Sequence, residues 1–82
     1  MFLHIGGDVM VPLRDLISVI DVSSAESTIN DEFVKTAEEE GFVVQLTGKP
    51  SSLVICTKRV YLSPISAQTL ARRAVRLFEE TE

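Results

Sequence analysis

Residues 53–66, LVICTKRVYLSPIS, hold two strand-like runs and then a change of period. LVICT (53–57) and RVYLS (59–63) are rich in β-branched and aromatic residues, and Lys58 and Arg59 sit at the bend between them. The all-apolar quartet Leu53–Cys56 predicts a central strand covered on both faces, or a face used in assembly. After Pro64, the spacing of Leu70, Ala74, Leu77 and Phe78 predicts a helix with those four residues on its buried side and Ser66 as N-cap.

Working outward, FVVQL (42–46) predicts another strand, joined to the first by TGKPSS. Upstream, SSAESTINDEFVKTAEEEG changes to helical period: Ile29, Phe33, Val34 and Ala37 form one stripe, Ser27 or Thr28 caps it, and Gly41 stops it. Glu38, Glu39 and Glu40 crowd the end of that helix, where its dipole disfavours them. At the start of the chain, FLHI and VMV flank Gly6 and Gly7, which predicts a tight hairpin over residues 2–12. LISVIDV (16–22) reads as one more strand, and Pro12 suits a strand end. The expected architecture is α+β: a small antiparallel sheet of four to six strands with two helices, in a single domain covering residues 1–82.

At 82 residues the core is small, and such chains often gain stability by self-association. The one cysteine, Cys56, cannot form an internal disulfide, and no Cys/His cluster suggests a metal. That usage, with no apolar run long enough for a bilayer and no basic leader, points to a soluble cytoplasmic protein with no membrane partner. Catalysis finds little support. His4, the sole histidine, lies in a strand, and Cys56 lies in an apolar run that would leave its thiol inert. TGKPSS is no phosphate loop, because Val43 stands where the first glycine is needed and a strand follows. The expectation is no enzyme and no cofactor.

Charge is segregated. The net charge is −4, with nine acids and two bases, Arg14 and Lys35, in the first 40 residues. Residues 41–78 hold no acid and six bases: Lys49, Lys58, Arg59, Arg72, Arg73 and Arg76. On the last helix, Arg76 can reach Glu79 and Glu80 at i+3 and i+4. Otherwise the segment suits an anionic partner or a neighbouring subunit.

HIGGDVMVPLRDLISVID, LTGKPSSLVICTKRVYLSPISAQTLARRA and the helix between them resemble the Rem-type extracellular-matrix regulators of bacteria, in particular the RemB branch. The similarity runs over about residues 2–78, and DLISVID, KRVYLSP and TLARRA carry most of it. The resemblance implies a cytoplasmic DNA-binding regulator of biofilm-matrix genes. It also implies a ring-like homo-oligomer that wraps double-stranded DNA, and DNA contact through arginines in two loops. By position those loops are Pro12–Asp15, which offers Arg14 with Asp15 beside it, and Thr47–Ser52. In the second loop Gly48, Lys49 and Pro50 replace paired arginines, and a lysine lacks the bidentate fork of arginine. The DNA-binding residues expected are Arg14, Lys49, Lys58 and Arg59. The alternative is a self-assembling, protein-binding modulator of a related regulator, with little DNA binding of its own.

Overall fold

The structure, a computed structural model, describes residues 1–22, 32 and 35–80. Strands β1 (Phe2–Gly6) and β2 (Val9–Pro12) form a hairpin. A 3-10 turn (Leu13–Asp15) leads into β3 (Leu16–Asp21). Residues 35–39 are helical (α1), followed by β4 (Val43–Gln45), β5 (Ser52–Cys56), β6 (Val60–Ser63) and α2 (Ala67–Glu79). The α+β class holds, and the strands and α2 fall within a residue or two of their expected places.

The single antiparallel sheet does not hold. Strands β3-β5-β6-β4 form a four-stranded mixed sheet, while β1-β2 is a separate two-stranded one. Strands β3, β5 and β6 pair antiparallel, but β4 runs parallel to β6, with Val43, Val44 and Gln45 opposite Val60, Tyr61 and Leu62. A parallel pair needs a crossover, and the β5 strand between β4 and β6 in sequence supplies it.

Strand β5 is central, hydrogen-bonded to β3 on one side and β6 on the other. Its side chains alternate between two cores, as a strand's period of two requires. Val54 and Cys56 face a cluster built on Leu3, Ile5, Val11 and Leu70, beneath the hairpin and α2. Leu53 and Ile55 face a second cluster with Ala37 of α1 and Val60. The apolar quartet is therefore covered on both faces, as expected.

Local signals explain the element ends. Gly41 adopts φ +80, its N–H reaches the Glu38 carbonyl at 3.0 Å, and the Phe42 N–H reaches the Ala37 carbonyl at 2.9 Å. That pair of bonds is a Schellman stop. Ser27, Thr28, Ile29, Phe33 and Val34 lie outside the described residues. Ser66 caps α2, its Oγ accepting from the Thr69 N–H at 3.2 Å. Leu70 and Ala74 are buried and Leu77 half-buried, but Phe78, expected on the buried side, is 64% exposed. Leu70, Ala74 and Leu77 already complete the core-facing stripe. Phe78 instead lines a groove of about 340 Å³ with Met1, Phe2, Pro12, Leu13 and Arg14.

Two buried serines lock the hairpin and α2 onto the sheet. Ser63 Oγ donates to the Ile5 carbonyl and accepts the Ile65 N–H at 3.0 Å. Ser52 Oγ donates to the Ile65 carbonyl at 2.7 Å.

Candidate nucleic-acid interface

The β5–β6 turn, residues 57–59, is closed by the Cys56 N–H on the Arg59 carbonyl at 2.9 Å. Lys58 and Arg59 are exposed on it. The Thr57 N–H donates to the Asp15 carbonyl at 3.0 Å, which holds the 3-10 turn against this bend. Arg14, exposed in the middle of the 3-10 turn, is thus brought to the same end of the sheet as Lys58 and Arg59.

Acids share that end. Asp15 lines a depression of about 210 Å³ with Lys58 and Arg59, and Glu40 lines a larger one, about 500 Å³, against the same two cations. Among the described residues of these linings and the 3-10 turn, three cations and two carboxylates leave a local excess of one positive charge. This end can hold phosphate only as part of a larger basic surface, since a single excess charge is weak in water.

Lys49 is placed elsewhere. It lies exposed in the loop before β5, while Lys58 lies just after β5, so the five residues of that strand separate them by about 17 Å. The loop packs on Pro64: Gly48 has φ +101, and a Cβ there would lie 3.2 Å from the proline Cβ. Gly6 of the hairpin turn wedges against the same proline, where a Cβ would meet its Cδ at 3.0 Å. Of the four expected DNA-binding residues, three gather at one end and one sits at the other.

Helix α2 spans the gap between them. Its start follows residues 63–65, which are bonded to Ser51 and Ser52 beside the Lys49 loop. Its end places Phe78 in the groove shared with Arg14. The helix also carries Arg72, Arg73 and Arg76, which sequence reasoning noted but did not place in the site. Their spacing of four with a neighbour alongside was the available signal.

The remaining reactive side chains have structural surroundings. His4 Nε2 is 2.6 Å from the Gly7 carbonyl, and the His4 carbonyl accepts from Arg73 at 3.3 Å. Burial pushes the Cys56 thiol above its ordinary value, and the Asp15 carboxylate adds to the effect. Such a thiol is a poor nucleophile. Among the described residues, no group of three or more His, Cys, Asp or Glu could hold a metal ion, and no helix is long and apolar enough to cross a membrane.

Comparison with known proteins agrees with the residues that carry the resemblance. The chain is 35% identical over 79 residues to extracellular matrix regulatory protein B of Bacillus subtilis (strain 168), covering 96% of each protein. The RemA-like family, described as extracellular matrix regulatory protein A-like, matches residues 2–74. With both extending from the hairpin through most of α2, the chain belongs to the RemA-like family.

Proposed function

We propose that this protein is a cytoplasmic, DNA-binding transcriptional regulator of extracellular-matrix genes, acting as an oligomeric, architectural binder of double-stranded DNA. The observation that carries the reading is the Thr57–Asp15 backbone bond, which gathers Arg14, Lys58 and Arg59 at one end of the sheet. The name of the Bacillus relative, a matrix regulator, supplies the biological direction.

Phosphate contacts position a protein on DNA without reading bases, so binding of this kind responds to shape and bendability. One subunit offers few contacts. Phe2, Ile17, Phe42, Val75 and Phe78 are all exposed, and apolar surface of this kind supports self-association. A ring of subunits repeats the cations around its rim and multiplies weak contacts by effective concentration.

The test is a set of alanine variants read by the salt dependence of DNA affinity. Each phosphate contact contributes about 0.9 to the slope of log K against log salt. Replacing Arg14, Lys58 and Arg59 together lowers the slope by about 2.7 per engaged subunit, and Lys49→Ala by about 0.9. Wild-type slopes in both variants refute the site. Absence of binding by the wild type favours the modulator of a related regulator.

A further inference from the structure

Thr69, Arg72, Arg73 and Arg76 line a groove of about 170 Å³ along α2. Their spacing of three and four puts all of them on one helix face. Among the described residues, no carboxylate lines the groove. Like charges at Arg72 and Arg76, one turn apart, destabilise the helix unless an anion answers them.

The donors in the groove are only partly used. Arg73 donates to the His4 carbonyl at 3.3 Å, which fixes it beside β1. Among the described residues, the guanidinium groups of Arg72 and Arg76 have no hydrogen-bond acceptor. The Ser66 hydroxyl donates to Thr69 Oγ1 at 2.8 Å, which leaves the Thr69 hydroxyl hydrogen to donate into the groove. Two guanidinium forks and a hydroxyl thus offer donors with no acceptor among the described residues, an arrangement suited to phosphate oxygens.

We infer that this groove on α2 is a phosphate-backbone contact site, with Arg72 and Arg76 each holding a phosphate of one DNA strand. The inference deepens the DNA-binding reading and rests on it. Four residues of helix separate the two arginines by about 6 Å along the axis, a spacing that lets the two guanidinium groups meet neighbouring phosphates of one DNA strand. The position also fits. Helix α2 runs from the Lys49 loop to the groove of Arg14, so its arginines join two cation groups that the sheet holds apart.

The experiment titrates a fluorescently labelled DNA duplex with the full chain as wild type, as R72A/R76A and as R72K/R76K, across a range of salt. Sedimentation velocity follows assembly, and circular dichroism confirms folding; both arginines are exposed. The alanine pair is expected to lower the salt slope by about 1.8 per engaged subunit, two contacts at about 0.9 each. The lysine pair is expected to keep the slope but bind more weakly, because lysine retains the charge and loses the fork. A wild-type slope in the alanine pair overturns the helix site and leaves the DNA reading standing. A wild type that does not bind removes the DNA reading and this inference with it. Loss of assembly in the alanine pair assigns the arginines to contacts between copies and overturns the inference.

Discussion

Ser63→Ala is a sharp test of how the hairpin is fixed to the sheet. Ser63 is fully buried, and its hydroxyl serves two backbone groups at once, the Ile5 carbonyl and the Ile65 N–H. Ile5 lies at a register shift in β1, between His4 and Gly6, and has no cross-strand partner there. Removing the hydroxyl strands a buried acceptor, at about 1–3 kcal/mol, and a half-buried donor, at about 1 kcal/mol. The expected loss is therefore about 2–4 kcal/mol, a large share of the stability of a domain this small. Ser52→Ala is the matched control. Ser52 is equally buried but makes one such bond, to the Ile65 carbonyl at 2.7 Å, so its loss should be about 1–2 kcal/mol. Urea denaturation at fixed protein concentration measures both, since self-association would make the midpoint depend on concentration. With a slope near 1 kcal/mol per molar urea for a small protein, Ser63→Ala moves the midpoint down by at least about 2 M. Equal costs for the two variants would refute the argument that Ser63 is the double anchor.

Leu70→Ala, at a fully buried position on the core face of α2, should cost about 2–5 kcal/mol by thermal or urea unfolding. Phe78→Ala, at an exposed position, should change monomer stability by less than about 0.5 kcal/mol and weaken self-association in sedimentation velocity. Gly48→Ala forces φ +101 on an L residue and a 3.2 Å contact with Pro64, so it should cost about 1–3 kcal/mol in the same unfolding assay. Because the Cys56 thiol is pushed up, its thiolate fraction at neutral pH is smaller than that of a free thiol. Ellman's reagent should therefore react more slowly with the folded protein than with the unfolded chain, and equal rates would contradict that assignment.

Local chemistry was legible in the sequence where one residue type decides the outcome. Ser66 caps α2, Gly41 ends α1 with a positive φ, and Leu53–Cys56 is covered on both faces. Long-range pairing was not. Nothing within FVVQL says that β4 joins β6 in parallel, because that choice depends on the crossover through β5. Ser52 and Ser63 gave no warning of burial, since serine in a strand is ordinarily read as solvent-facing. Helical period alone misplaced Phe78, whose position lies at the margin of a stripe completed by Leu70, Ala74 and Leu77.

The candidate site shows the same division. The acid-free segment identified the cations, but a list along the chain does not say which share a surface. Lys49 and Lys58 are nine positions apart in sequence and lie at opposite ends of one strand. Arg14, far from both in sequence, joins the second through a single backbone bond. Helix α2 connects the two ends that β5 keeps apart.

The central claim is DNA binding through phosphate contacts, and fluorescence anisotropy of a labelled duplex titrated with the wild-type protein across a range of salt tests it directly. The account predicts binding that weakens steeply as salt rises, with a slope of roughly −0.9 for each phosphate neutralised. No binding at low salt, or an affinity indifferent to salt, would contradict it.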